Sequence, residues 1–342
     1  MIIRRSLQLE AATSRRAFLS GLLCSGGAFA LGGCAGLAES ASRPEAAALV
    51  SNPTLLVATT RKPVNGGRAN PWYGSERAPT MSVARAKLTP PDYGRFSFAS
   101  VGMSDWRLDA VEPVPGRVSD LLAESPSGPD VLIYVHGFRQ TFEAAALDAA
   151  RLSDGIKFRG DTMVFSWPSK AGLFDYVYDR ESALWSRDAF ERVLISAMTN
   201  PTTGRVHIVA HSMGTMLALE SLRQVYGRYG DAGAARIGAV VFASPDIDLD
   251  VFSSSVSRIG PLAQKITIIT ATNDRALALS SRVAGGITRV GAAEKAALER
   301  LGLRVVDASQ YGWGIINHDL FMSNAEVRKV IRQAVDSGGI AG

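Results

Sequence analysis

Ser212 is the residue in this chain best placed to do chemistry. It sits in Ala210-His211-Ser212-Met213-Gly214, between the apolar run Val206-His207-Ile208-Val209 and the helical stretch from Thr215 to Glu220. A serine at a sharp strand-to-helix turn has its hydroxyl thrust out from the sheet, in the G-x-S-x-G pattern with Ala210 for the first glycine. The flanking positions must be small because strand and helix nearly touch there, and Ala210 and Gly214 meet that demand. A helix starting just after the serine points its first N–H groups at the site, where negative charge would develop. The chemistry such a turn serves is attack on a carbonyl, provided a base removes the serine proton. The chain has four histidines, His136, His207, His211 and His318. None pairs with another at metal-ligand spacing, and the two cysteines cannot complete a zinc site with them, so no metal is expected.

The elements around this turn follow from hydrophobic patterning. The chain has 342 residues, 46% of them hydrophobic, enough for one large α/β domain. The patterning predicts strands at 54–60, 81–88, 95–102, 106–112, 131–135, 162–166, 206–210, 237–243, 265–271 and 303–308. It predicts helices near 140–154, 181–198, 213–227 and 324–336. The stretch 61–80, rich in Gly, Pro, Asn and Arg, reads as a loop. Apolar strands alternating with helices from residue 131 onward mean a mostly parallel central sheet flanked by helices on both faces.

The front of the chain reads as an address. Arg15-Arg16 precedes an apolar stretch ending in Leu31-Gly32-Gly33-Cys34. This resembles a twin-arginine export signal followed by a lipobox, with Cys34 the lipidated residue. The reading is therefore an export signal at 1–33, a tether at 34–50 and a single domain at 51–342. Residues 1–33 carry a net +3 of the chain's +5, so the domain is only mildly basic. With no basic stripe interleaved with aromatics, no nucleic-acid partner is expected. A lipid anchor at Cys34 implies a periplasm-facing membrane lipoprotein of the cell envelope.

Val135-His136-Gly137-Phe138, Phe165-Ser166-Trp167-Pro168-Ser169, the serine turn, Ser244-Pro245-Asp246, Asn273-Asp274-Arg275-Ala276-Leu277 and Asn317-His318 occur in that order. Together they resemble the α/β-hydrolase superfamily, and within it a poorly characterised bacterial group of esterase/lipase-like proteins. The resemblance covers about 125–336. It implies the α/β-hydrolase fold and partners in the chain order Ser, Asp, His. His318 then becomes the base, and Asp274 the acid that orients it, with Asp246 as the alternative acid. The oxyanion hole is implied at the N–H groups of Met213 and Phe138, or Gly137 in place of Phe138. His136 reads as a loop-fixing residue. His211 reads as the variable residue of the turn, and His207 as a satisfied strand histidine. The run from Trp167 to Trp185, with Phe174, Tyr176 and Tyr178, is a candidate apolar wall for an acyl group.

The implied activity is hydrolysis of a carboxylic ester or thioester through an acyl-serine, on a small-molecule or lipid-like substrate and without a cofactor. An acyltransferase would use the same residues. A non-catalytic envelope lipoprotein that binds through this fold would not need them.

Overall fold

In a computed structural model, the protein is described over residues 54–91, 105–124, 130–170, 172, 174–283, 285–311 and 320–338. The described residues lie within one compact unit, Ala46–Gly342. They contain one sheet of nine strands. In chain order these are β1 (Thr54–Pro63), β2 (Tyr73–Thr89), β3 (Arg107–Val114), β4 (Val131–Val135) and β5 (Asp161–Ser166), then β6 (Val206–His211), β7 (Ile237–Ala243), β8 (Ile266–Thr270) and β9 (Arg304–Asp307). The order across the sheet is β3-β2-β1-β5-β4-β6-β7-β8-β9. From β1 to β9 every pairing is parallel, and β2 and β3 extend the β1 edge antiparallel.

Alternation along the strands builds two cores. Val131, Ile133 and Val135 of β4 face one layer, and Leu132 and Tyr134 the other. The first layer is closed by helices α1 (Val118–Ala123), α3 (Tyr176–Trp185), α4 (Arg187–Thr199), α5 (Gly214–Arg236) and α6 (Leu249–Val256). The second is closed by α2 (Phe142–Gly155), α9 (Leu320–Ser323) and α10 (Ala325–Asp336). Two further helices, α7 (Arg275–Val283) and α8 (Lys295–Glu299), connect the last strands. The expected fold is therefore present, with helices on both faces. Caps set several boundaries: the Thr141 side chain accepts from the Ala144 N–H at the head of α2, and Asn324 accepts from Glu326 and Val327 at the head of α10.

Three local expectations are corrected. The stretch 61–80 is not a loop throughout: β1 runs on to Pro63 and β2 already starts at Tyr73. Register shifts on either side of Arg61 let this strand absorb residues that break a regular ladder. The helix expected at 181–198 is two, α3 and α4, broken at Ser186, whose hydroxyl turns back to the Ser182 carbonyl at 2.8 Å. The helix expected to end near 227 continues to Arg236 through a non-helical Gly230. The strand expected at 95–102 lies outside the described residues. No described helix is long and apolar enough to cross a membrane.

The sheet order reverses beside β4. The chain leaves β4 for β5 on one side and returns to β6 on the other. Such a switch point opens a crevice beyond the carboxyl ends of the two strands. Those ends carry His136-Gly137-Phe138 and His211-Ser212-Met213.

Candidate active site

Ser212 has φ of +50°, a left-handed conformation that costs a non-glycine residue about 1–3 kcal/mol. Neighbouring hydrogen bonds hold it there. Its N–H donates to the Ala243 carbonyl at the end of β7 (2.9 Å). Its carbonyl accepts from the Thr215 N–H (3.1 Å) and hydroxyl (2.5 Å) and from the Asp246 N–H (3.3 Å). The turn is thus fastened both to the next strand and to the first turn of its own helix.

Two glycines make the close approach possible. A methyl group at Gly214 would lie 2.3 Å from the His136 carbonyl oxygen, so only glycine lets α5 start this close to the end of β4. A methyl at Gly137 would lie 2.9 Å from Ser212 Cβ. The loop after β4 therefore presses directly on the serine turn. Met213 begins the helix with helical dihedrals and no side-chain cap. At the head of α5 the Thr215 N–H bonds the Ser212 carbonyl and the Met216 N–H the Met213 carbonyl, so the Met213 and Gly214 N–H groups come ahead of them, directly after Ser212. Met213 follows Ser212 in the chain and Gly137 presses on it, with Phe138 next in the same loop.

The loop after β4 has a buried polar underside. His136 is buried and stacks on Trp167, with ring centroids 4.6 Å apart. Its Nδ1 lies 2.8 Å from the Gly137 carbonyl, and its Nε2 accepts from the Trp167 N–H at 3.1 Å. Burial, followed by the charge of Arg61, pushes the His136 pKa well below the ordinary imidazole value. His136 is therefore a neutral structural group, as its sequence context implied. Asp179 of α3 accepts from the Ser169 hydroxyl (2.5 Å) and the Lys170 N–H (2.9 Å), and burial raises its pKa. These bonds join α3 to the loop after β5.

The two candidate acids have different surroundings. Asp274 follows β8 and is buried; one carboxylate oxygen accepts from the Ala276 and Leu277 N–H groups and caps α7. Asp246 follows β7 and pairs with Arg289 at 3.0 Å, both fully buried. It also accepts from the Ser280 hydroxyl (2.6 Å) and the Tyr176 hydroxyl (3.0 Å). Both its oxygens are engaged in tying α3, α7 and the Arg289 segment together. His318 lies outside the described residues, as does Cys34.

The remaining sequence candidates separate cleanly. His207 is buried in β6, where its Nδ1 accepts from the Ala239 N–H (3.0 Å) and its Nε2 faces Asp130 (3.4 Å), so it is a satisfied strand histidine. The His211 ring packs on Phe321 at 4.6 Å. Of the suspected apolar wall, Trp167 is core. Tyr176 meets Phe138 edge-on at 5.5 Å, Tyr178 donates to the Ser75 carbonyl, and Phe174 is fully exposed. Sequence reasoning missed Arg61, Asp179 and Arg289. A charged residue in an unpatterned stretch gave no signal, because its burial depends on partners far along the chain. Among the described residues, no three His, Cys, Asp or Glu side chains cluster as metal ligands would.

Residues 117–334 match the profile of a family described as "Alpha/beta hydrolase of unknown function (DUF900)". No curated protein matches the chain. Among solved structures, TT1662 from Thermus thermophilus is similar at 14% identity, covering 64% of this chain and 92% of its own, with a TM-score of 0.40. The hyperthermophilic esterase of the archaeon Pyrobaculum calidifontis is similar at 14% identity, 75% and 81% coverage and a TM-score of 0.33. The catalytic core domain of acetyl xylan esterase from Trichoderma reesei is similar at 11% identity, 62% and 99% coverage and a TM-score of 0.38. These overlaps are too loose to carry an activity across. The family match spans well over half of the sequence and includes every element that surrounds Ser212, so the chain belongs to this family of α/β hydrolases of unknown function.

Proposed function

We propose that the protein is an exported serine hydrolase that cleaves a carboxylic ester or thioester. The observation that carries this reading is Ser212 itself: a non-glycine residue held at positive φ, at the head of a helix, with Gly137 against its β-carbon. Such strain clusters at active sites; of the described non-glycine residues at positive φ, Ser212 is the one set immediately between a parallel strand and the start of a long helix. In the proposed reaction Ser212 Oγ attacks the carbonyl carbon as its proton passes to His318. The Met213 and Phe138 N–H groups receive the oxyanion, with the Gly137 N–H as the alternative to Phe138. Collapse expels the alcohol or thiol, which takes the proton from His318, and leaves an acyl-serine. Water then attacks, gives its proton to His318, and the acid departs as Ser212 is reprotonated. Asp274 orients His318. The buried pair that Asp246 forms with Arg289 supports this choice between the two acids. Residues 1–33 direct export, 34–50 form the tether, and Cys34 carries the lipid that holds the domain at 51–342 to a membrane surface.

The test is labelling of the purified protein by a fluorophosphonate, with Ser212→Ala as control. The expected result is one labelled serine, lost in the variant together with a fall of about 10³–10⁶ in ester turnover. An unlabelled native protein, or a variant as active as the native one, refutes the proposal. Product analysis with an added alcohol separates hydrolysis from acyl transfer. For the anchor, incorporation of labelled fatty acid should vanish in Cys34→Ser.

A further inference from the structure

The family match begins at residue 117, yet the loop after β4 leans on a residue well before it. Arg61 lies at the bulged end of β1 and is 1% exposed. All five of its N–H groups are engaged. Nε donates to the Ser166 hydroxyl (2.8 Å), and Nη1 to the Gly74 and Ser169 carbonyls (both 3.1 Å). Nη2 donates to the Gln140 carbonyl (2.7 Å) and faces His136 Nε2 (3.4 Å). Burial lowers its pKa to about 10, so it remains a cation at neutral pH. A planar fork of five donors fits five separate acceptors in a way an ammonium group cannot.

The consequence falls on His136. This ring faces two carbonyls, Gly137 O from Nδ1 (2.8 Å) and Trp167 O from Nε2 (3.1 Å). Either nitrogen could carry the proton, and an imidazolium would satisfy both carbonyls. Two donors oppose a proton on Nε2: the Trp167 N–H at 3.1 Å and the Arg61 guanidinium. The proton therefore resides on Nδ1 and is donated to the Gly137 carbonyl. The Gly137 carbonyl and the Phe138 N–H belong to one trans peptide plane and point in opposite directions. Drawing the carbonyl down to His136 points the Phe138 N–H the opposite way within that plane, away from the ring.

We propose that Arg61 is a positioning residue of the oxyanion hole: it fixes the Nδ1-protonated form of His136, which in turn fixes the Gly137–Phe138 peptide and aims the Phe138 N–H. This rests on the serine-hydrolase reading for its catalytic meaning, but the tautomer can be read without any reaction. The variants are Arg61→Met, which removes the donors, and Arg61→Lys, which keeps the charge and loses the fork. Proton–nitrogen correlation spectra of the imidazoles report which nitrogen of His136 is protonated, and the fluorophosphonate labelling rate reports the oxyanion hole.

In the native protein His136 should be purely Nδ1-protonated. In Arg61→Met only the Trp167 N–H still opposes a proton on Nε2, so part of the population should carry it there, with labelling slowed about 10-fold, less than loss of a whole oxyanion donor. Arg61→Lys should fall between, and it carries the test alone if Arg61→Met does not fold. His136→Asn keeps an N–H near the position of Nδ1 and should label faster than His136→Leu. Folded Arg61 variants that retain a pure Nδ1 proton, or that label at the native rate, overturn the proposal. If the native protein is not labelled, the proposed function fails, and the Arg61 inference then stands or falls on the tautomer.

Discussion

Gly214→Ala tests the packing of the site most directly. The new methyl would sit 2.3 Å from the His136 oxygen and 2.9 Å from the Val135 oxygen, both backbone atoms that cannot rotate away. Ordinary contact begins at 3.4 Å, so the head of α5 and the loop after β4 must part by roughly 1 Å. Such overpacking costs about 1–3 kcal/mol. Replacing glycine by alanine in a helix returns at most about 1 kcal/mol. The net expectation is a loss of about 1–2 kcal/mol in urea unfolding. The kinetic effect should be larger, because the parting separates Ser212 from the loop proposed to hold the oxyanion, and a displacement of about 1 Å at reacting groups is worth about 100-fold. Gly227→Ala is the internal control: it lies exposed in the same helix with nothing within 4 Å of the added methyl. It should gain about 0.5–1 kcal/mol with no change in rate. A Gly214→Ala protein with native urea midpoint and labelling within about twofold of native would refute the argument that strand and helix meet at this glycine.

Three further outcomes follow from the same geometry. Asp274→Asn keeps an oxygen to cap α7 and should remain stable while labelling falls by about 10³–10⁴. Asp246→Asn leaves Arg289 buried without its counter-charge and should lose about 3–5 kcal/mol with rate retained in the folded fraction, and the reverse pattern would exchange their roles. His136 and His207 are both held below the ordinary imidazole pKa, chiefly by burial, so the unfolded chain takes up protons first as pH falls. Stability should be full above about pH 7 and fall toward pH 5 with a slope approaching about 1.4 kcal/mol per pH unit for each histidine. Urea titrations across that range read it, His207→Gln should remove one share, and a flat native profile contradicts it. Phe174→Ser should shift ester preference toward shorter acyl chains by about fivefold, a fraction of what a buried phenyl ring contributes, and an unchanged chain-length profile removes Phe174 from any acyl wall.

The parallel half of the sheet was legible because its strands are short, apolar on both faces and bounded by turn residues, as in Val131–Val135 and Ile237–Ala243. The serine turn was legible because tight strand–helix contact admits only small residues at 210 and 214. What escaped were features defined by partners distant in sequence. Asp246 and Asp274 both follow strand ends and look alike in one dimension; Arg289, Tyr176 and Ser280 distinguish them in three. Arg61 stands among prolines, glycines and charges that signal a loop, whereas bulges on either side of it keep the strand going. The break at Ser186 was hidden because helix-forming residues continue on both sides of it.

The way the sheet ends has a consequence for the chain as a whole. Among the described residues its outermost strand on one side is β3, whose sequence carries Arg107, Asp109, Glu112 and Pro113, and on the other side β9 is only four residues long. Charge, proline and brevity are what keep a sheet edge from recruiting another chain. Past Asp161 at its start, β5 has none of these protections: it is Thr162-Met163-Val164-Phe165 along its middle, buried on both faces, with β1 covering the side away from β4. A chain that lost the segment before the family-matched region would expose that strand as a row of open N–H and C=O groups on an apolar ribbon. β1, with β2 and β3 beyond it, keeps that strand paired, and a chain without them is expected to aggregate.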